Sequence, residues 1–597
     1  MPEQTLIGAI ERVTFHNEEN GYCVLRVKPK DKSTLVTVVG NCPAPKSGEQ
    51  LVASGEWHED ENYGSQFRAE EITTSEPGTL VGIERYLGSG LIEGIGPVYA
   101  KKMVAKFGAE IFDVIDKRSR QLEEIDGIGS KRRKEIKESW QKQKTVRQIM
   151  VFLHQYGIST ARAVRIYKTY GEQSIRQLRK NPYQLAHDLH GIGFKTADKI
   201  AAKLGVQSDT RERISAGLEY VMTSAIGNGH CALPEQELID SSTELLGIPD
   251  GKVSDVLEME IRAKRMDRDT GEKSSLIFLP YLLQAEQQVA ERIKELALKP
   301  PDYPDIDFTK AMAWCEKKIG YTLGDGQQQA IQSALQQRML IITGGPGVGK
   351  TTIINTVLMI LRAKGITPVL CAPTGRAAKR MGESTGLEAK TIHRLLEYQS
   401  PQTGFARTRE NPLAGDLFVI DEASMIDLPL MAALLNALPE QAHLLMIGDV
   451  DQLPSVGPGN VLADLIESDV VQVARLNEIF RQAAESRIIQ AAHDINNGQA
   501  PVEFTSGATP SAKSDFFFIE RNDPENAATM IIKLLREQIP EKFGLDPVND
   551  VQVLTPMHRG SLGTQSLNRR IQDALNPANE ATFEVERFGS CFRTGDR

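Results

Sequence analysis

The sequence predicts a multidomain α/β protein in which parallel-sheet lobes follow a small β-barrel and a helical region. Three observations predict it. From about residue 320, continuous apolar runs alternate with helical stretches; residues 1–75 alternate apolar and polar in short runs; and residues 91–205 repeat a Gly-Ile-Gly turn between helices.

The bulk properties set the frame. A chain of 597 residues is too long for one core and implies about three to five domains. With 40% hydrophobic and 25% charged residues it has the composition of an ordinary globular protein. No run of about 18 apolar residues occurs, and MPEQTLIGAIERV lacks the basic-then-apolar layout of a secretory signal, so a cytoplasmic chain without a membrane span is expected. Cys23, Cys42, Cys231, Cys315, Cys371 and Cys591 are scattered with no CxxC pair, and read as reduced, mostly buried thiols. A net charge of −9 argues at first against nucleic acid. Residues 101–200, however, hold 22 Lys and Arg against 11 Asp and Glu, a local +11, so the basic charge is concentrated in one module.

In residues 1–78, runs such as GYCVLRVKP, TLVTVVG and QLVASGEW are separated by Gly, Pro and Asn breakers. They read as a small antiparallel barrel or sandwich, an OB-like barrel among the options. In residues 79–205 the repeat aligns LIEGIGPVYAKKM, EIDGIGSKRRKEI, QYGISTARAVRI and DLHGIGFKTADKI. Each has an apolar helix end, a tight turn and a Lys/Arg/Ala-rich helix, which resembles tandem helix-hairpin-helix motifs. Such turns present backbone N–H groups at a helix N-terminus to a DNA phosphate. Gly94, Gly96, Gly127, Gly129, Gly191 and Gly193 are the turn glycines expected at DNA, with binding independent of sequence and dependent on salt. A plain helix C-cap followed by a new helix is the competing reading, weakened by four copies in register. Residues 206–300 look mostly helical, ending in SSLIFLPYLLQAEQQVAERIKELAL, and GHCALPEQELI (229–239) hints at a winged-helix-like connector. His230 and Cys231 there read as packing or surface residues, not metal ligands.

In residues 301–475, MLIITGG, ITPVLCAPT, DLFVIDEAS and AHLLMIGD are apolar runs closing on polar residues, as strands buried on both faces of a parallel sheet do. Ligands of such sheets bind beyond the carboxyl ends of the strands. There, Gly344, Gly345, Pro346, Gly347, Val348, Gly349, Lys350 and Thr351 fit G-x-x-x-x-G-K-[ST] between a strand and the helix that Thr352 continues. Glycines let the backbone wrap phosphates, and the helix N-terminus adds its dipole. Lys350 is expected at the β- and γ-phosphates of ATP and Thr351 at Mg²⁺. Asp421 and Glu422 close the FVI strand: Asp421 is expected to hold Mg²⁺ and Glu422 to polarise the attacking water.

The remaining motifs resemble superfamily 1 helicases. Gln327 in LGDGQQQA looks like the glutamine that reads adenine; CAPTGRAAKR is similar to motif Ia, TIHRLL to the segment after it, DEAS to motif II, GDVDQLPSVGPG to motif III and LNEIFRQ to motif IV. The wording of these segments resembles RecD-like enzymes, and the β module with tandem hairpins resembles the RecD-like family found outside the RecBCD complex. The resemblance implies RecA-like motor lobes and an ATP-dependent DNA helicase moving 5′ to 3′ on single-stranded DNA and at duplex junctions, in DNA repair or recombination. A single-stranded-DNA-binding protein is a candidate partner. Arg481 matches the motif IV arginine that reaches the γ-phosphate, Gln452 the motif III glutamine that senses nucleotide and DNA, and Pro373, Thr374 and Arg376 positions near the DNA backbone. His393 is equally open to a packing role or a DNA contact. Residues 397–415, polar and Gly/Pro-punctuated, suit either a strand-separating β-hairpin or a plain surface hairpin.

Residues 476–597, with a strand expected at VQVLTP (551–556), read as a second lobe that ends incomplete at FRTGDR. The resemblance implies that motifs V and VI would follow that phrase, and that unwinding depends on them. Two other readings compete. A DNA-binding ATPase switch without unwinding is the first; a nuclease- or relaxase-associated motor is the second, and no carboxylate or histidine cluster supports it.

Overall fold

The computed structural model describes residues 4–596 except 18–20, 31–33, 43–44, 61–63, 76, 78, 89–91, 93–94, 157, 159, 190, 272–273, 401–402, 477–485, 502–513, 579–582 and 588–589. The chain divides into two units, one of residues 1–322, 330–343 and 354–474, the other of residues 323–329, 344–353 and 475–597.

The first unit opens on five strands, β1 (Gln4–His16), β2 (Tyr22–Pro29), β3 (Val36–Asn41), β4 (Gln50–Asp60) and β5 (Gly64–Ser75). They close into a barrel of order β1-β2-β3-β5-β4, antiparallel except where β3 runs parallel to β5. Closure leaves no edge strand to pair with another chain. Period-two alternation puts Ile10, Leu25, Leu51 and Phe67 inside, none more than 1% exposed. Phe67→Ala should therefore lower stability by about 3–5 kcal/mol, read as a fall in the urea midpoint of the barrel's unfolding transition.

The helical region follows, with helices Leu80–Gly88, Pro97–Phe107, Ser130–Gln155, Thr160–Tyr170 and Phe194–Lys203 among its elements. The isoleucine of each repeated turn is the residue it buries: Ile95, Ile128, Ile158 and Ile192 are 2–3% exposed. The connector is less helical than its composition suggests. Helices Arg211–Gly227, Glu235–Leu246 and Asp250–Arg262 pack with a three-stranded sheet, order β6-β8-β7, of β6 (Ala232–Pro234), β7 (Asp267–Thr270) and β8 (Ser275–Phe278). SSLIF is thus a strand, because Ile277 and Phe278 fill the core beside their antiparallel partners. The helix Pro280–Leu298 buries Leu282, Val289 and Ile293 in the same core as Phe418 and Leu434 of the motor sheet region.

That sheet has six strands in the order β11-β10-β14-β15-β9-β16. They are β9 (Met339–Gly344), β10 (Pro368–Ala372), β11 (Ala389–Thr391), β14 (Leu417–Ile420), β15 (His443–Gly448) and β16 (Gln472–Leu476). β11, β10, β14, β15 and β9 pair in parallel. Because β14 and β9 both flank β15, their carboxyl ends open at the same edge of the sheet. Between β11 and β14 lie two short antiparallel strands, β12 (Tyr398–Ser400) and β13 (Gly404–Phe405).

In the second unit the described residues form helices, including Arg487–Asn496, Pro524–Lys533 and Thr564–Leu575, and an antiparallel pair, β17 (Glu584–Arg587) and β18 (Ser590–Arg593). The strand expected at 551–556 is not formed. Its residues alternate in exposure as a strand's would, but no neighbour supplies a ladder of hydrogen bonds among the described residues, and Leu554 is 84% exposed.

Candidate functional site

In the second unit, the loop after β9 turns through the left-handed region at Gly347 (φ 80°) and Gly349 (φ 82°), where a Cβ would be strained. Val348 between them is 2% exposed and anchors the loop, while Pro346 and Gly347 face solvent. The Lys350 ammonium donates to the carbonyl oxygens of Gly344 and, at 3.0 Å, of Gly345. A cation is thereby held on the loop with its N–H groups, the charge arrangement a polyphosphate requires. Thr351 is exposed in the first turn of the following helix and Thr352 half-buried. Gly344 admits no side chain, since a Cβ would stand 2.6 Å from the Leu476 carbonyl oxygen. Gln327 is 5% exposed, and its Oε1 accepts from the Gly324 N–H at 3.2 Å. One group was not anticipated. The His493 ring lies 3.7–3.8 Å from a Cβ built on Gly345, and its Nε2 is buried with no hydrogen-bond partner among the described residues.

In the first unit, β14 delivers Asp421 and Glu422 to the strand end. Asp421 is 9% exposed, and its Oδ1 accepts from the Glu422 N–H at 3.0 Å. Glu422 stands at φ 55°, ψ 43°, a left-handed conformation that costs a non-glycine residue of order 1–3 kcal/mol and clusters at functional sites. Its Oε1 accepts from Arg380 Nη2 at 2.6 Å, and the same nitrogen lies 3.8 Å from Asp421 Oδ2. Arg380 closes the segment that resembles motif Ia, and its meeting with these carboxylates is not singled out by the sequence pattern. It sits four positions after Arg376, on the same face of the helix Gly375–Thr385. Thr374 caps that helix, its hydroxyl accepting from the Ala377 N–H at 3.2 Å; Pro373 is half-buried and Arg376 exposed. Ser424 contributes a buried hydroxyl with no hydrogen-bond partner among the described residues.

Gln452 is oriented by a second residue that the sequence pattern does not single out. Its Nε2 donates to Asp449 Oδ2 at 3.1 Å, and Asp449 is 3% exposed at the end of β15. His393 is exposed, with its ring 6.0 Å from Tyr398 and 5.7 Å from Phe405 of the short hairpin. Burial pushes the Cys231 thiol up to about 12, His230 is exposed, and no cluster of three metal-ligating residues occurs among the described residues. Mg²⁺ needs no such cluster, since it is commonly held by one or two carboxylates, substrate phosphates and water. In the first unit Asp421 and the Ser424 hydroxyl, which has no hydrogen-bond partner among the described residues, are oxygen donors of the kind Mg²⁺ takes. Arg481 lies outside the described residues.

The repeated turns share one geometry. Gly127 (φ 90°) and Gly191 (φ 88°) take the left-handed position, where glycine is required by the backbone. Two residues on, Gly96, Gly129 and Gly193 have no positive φ, and a Cβ there would meet nothing within 4 Å. Gly96 and Gly193 cap their helices in extended conformation with no side-chain hydrogen bond. The helix-start N–H groups are left for an outside acceptor. Around the second turn, Arg132 Nη1 donates to the Gly127 carbonyl oxygen at 2.8 Å, with its guanidinium 4.5 Å from the Tyr99 ring centroid. Gly94, and Gly157 and Ser159 of the third turn, lie outside the described residues.

A phosphate loop and a carboxylate pair at strand ends of one parallel sheet, joined in the chain to a basic region of phosphate-type helix turns, define an ATP-hydrolysing motor that works on DNA. At 31% identity, 96% of this chain matches 78% of the ATP-dependent RecD2 DNA helicase of Deinococcus radiodurans. The chain belongs to the ATP-dependent RecD2 DNA helicase family, and its activity is that of an ATP-hydrolysing DNA helicase. Family models match along its length: the OB-fold domain of the ATP-dependent DNA helicase YrrC over residues 3–77, a SAM-like helix-hairpin-helix tandem over 87–142, the helix-hairpin-helix domain of the ATP-dependent RecD2 DNA helicase over 142–232, and an AAA domain over 327–458. The RecD subunits of the RecBCD enzyme match over less of the chain. That of Mycobacterium tuberculosis H37Rv is 30% identical over 50% of this chain and 55% of its own length, and that of Haemophilus influenzae 37% identical over 24% and 26%.

Proposed function

We propose that Mg-ATP is held through Lys350, the loop Gly344–Gly349, Thr351 and Asp421, and that Glu422 polarises the water that attacks it. Gln327 contacts the adenine, Arg481 contributes transition-state charge stabilisation, and Gln452 relays the nucleotide state to DNA. The motor then moves 5′ to 3′ along single-stranded DNA, while the turn glycines of the basic region hold DNA by its phosphates. The observation that carries this reading is the Glu422 side chain, held in a left-handed backbone position beside a buried Asp421 at the end of a parallel strand. Bound Mg²⁺ would offset phosphate charge; the protein's own part is to hold the phosphates, place the water and exclude competing acceptors.

Arg380 belongs to this reading as a positioning residue. While its guanidinium engages Glu422 Oε1, that oxygen is unavailable to a water; a DNA phosphate at the exposed face of the same helix competes for the arginine. Arg380→Ala should raise ATP hydrolysis in the absence of DNA and shrink the stimulation by oligo(dT), measured by phosphate release. An equal fall in both rates would show that the pair is only structural. Polarity is tested by streptavidin displacement: ATP should speed release from a 3′-biotinylated oligonucleotide and leave a 5′-biotinylated one unchanged. The reverse pattern would overturn the direction.

A further inference from the structure

His493 is a polar group of the second unit that the proposed chemistry does not use. It lies on the helix Arg487–Asn496, whose start is tied down: the Ser486 hydroxyl donates to Asp515 Oδ2 at 2.6 Å, and Asp515 Oδ1 accepts from the Arg487 N–H at 2.7 Å. From that helix the imidazole reaches the phosphate loop. It is half-buried, stands 3.7–3.8 Å from a Cβ built on Gly345, and keeps a buried Nε2 with no hydrogen-bond partner among the described residues. A histidine that only packs looks different in this chain. His443, 4% exposed, has both ring nitrogens engaged: Nε2 accepts from the Asp302 N–H at 3.3 Å, and Nδ1 meets the Asp416 carbonyl oxygen at 3.3 Å. Tyr303 stacks on that ring, with centroids 3.9 Å apart. A buried nitrogen without a partner forfeits its hydration and gains nothing in exchange, so its place in a native structure calls for a reason, of which a role in catalysis is one.

We infer that His493 is a further nucleotide-contacting residue, its Nε2–H donating to a terminal phosphate oxygen of the bound triphosphate, and so a group that tells ATP from ADP. The inference rests on the reading of Gly344–Lys350 as the phosphate site. Two observations select the partner. The loop acceptors beside the ring already have a donor, since the Lys350 ammonium takes the Gly344 and Gly345 carbonyl oxygens. Residues 344–352 hold no carboxylate, so the loop N–H groups and the ammonium gather positive potential that only an incoming anion answers. The terminal phosphate follows from position: His493 stands at the glycine that holds Lys350, the residue assigned to the β- and γ-phosphates. Because His493 and Gly345 are far apart in the sequence, loss of that phosphate on hydrolysis would release a tie between distant segments of the chain.

The test uses the full chain with Mg²⁺ and two probes, ADP and the non-hydrolysed β,γ-imido analogue of ATP, each competing with a fluorescent nucleotide. His493→Leu fills the space of the ring without a donor. It should weaken the ATP analogue about tenfold or more, the loss of a hydrogen bond to a charged acceptor, and leave ADP within about twofold. His493→Gln, whose amide nitrogen reaches the place of Nε2, should recover most of the loss, and His493→Asn, which is too short, should not. Equal weakening of both nucleotides would place the role of the histidine on the loop itself, and unchanged affinity for the ATP analogue would show that solvent satisfies Nε2; either result overturns the inference. Lys350→Ala separates this outcome from the reading beneath it. That variant should weaken both nucleotides; if it binds them as the parent does, the loop is not the phosphate site and the assignment of His493 falls with it.

Discussion

Lys350→Ala should lower ATP hydrolysis about a thousandfold, the removal of about 4 kcal/mol of transition-state stabilisation. The ammonium caps the carbonyl oxygens of Gly344 and Gly345, and within the described residues of the loop it is the only cationic side chain. An alanine leaves the phosphate charge facing backbone dipoles alone. Glu422→Gln is the complementary change. It keeps the shape of the strand end and removes the carboxylate charge, so a fluorescent ATP analogue should bind as it does to the parent while phosphate release collapses. The two variants together separate binding from chemistry: hydrolysis at the parent rate by Glu422→Gln would end the water-polarising assignment and leave the lysine assignment standing.

The second large effect is expected at the helix turns. Gly96→Ala/Gly129→Ala/Gly193→Ala should leave the melting temperature close to the parent's, because a Cβ at each position meets open space and no positive φ is strained. DNA affinity should fall about tenfold or more per turn, the worth of a hydrogen bond to a charged acceptor that a methyl group would displace. The log–log salt slope should drop by about one unit for each phosphate the turns no longer hold, equally for any DNA sequence. Gly127→Ala and Gly191→Ala should behave in the opposite way, lowering stability through the left-handed backbone, by about 1–2 kcal/mol each. At Gly127 the new Cβ would also stand 2.5 Å from the Tyr99 hydroxyl. Triple-alanine protein that binds DNA with parent affinity would show that phosphates do not approach these turns, and thermal melting with fluorescence anisotropy distinguishes the cases.

Much of the architecture was legible because it rests on local rules. Inward alternation at Leu25 and Val27 needs only a period of two, the buried run Leu417–Ile420 needs only helices on both faces, and the loop Gly344–Lys350 is written in residue types that a phosphate cradle demands at fixed spacing. Where pairing is non-local the pattern misled. VQVLTP has a strand's alternation and no ladder, and SSLIF sits in a helical stretch yet is a strand, because a strand exists only where another lends it hydrogen bonds.

The same division runs through the functional residues. The sequence by itself determined which chemistries the chain carries: a lysine on a glycine loop, paired carboxylates after FVI, glycine turns in a basic region. Only the tertiary structure decided which groups meet. Arg380 reaches Glu422 across 42 residues because β10, which leads into the arginine's helix, pairs in parallel with β14; the Thr343 hydroxyl accepts from the Val450 N–H across 107 residues because β9 pairs in parallel with β15. Side-chain identity is local, whereas the meeting of a guanidinium and a carboxylate depends on strand order and register, which the whole packed sheet sets at once.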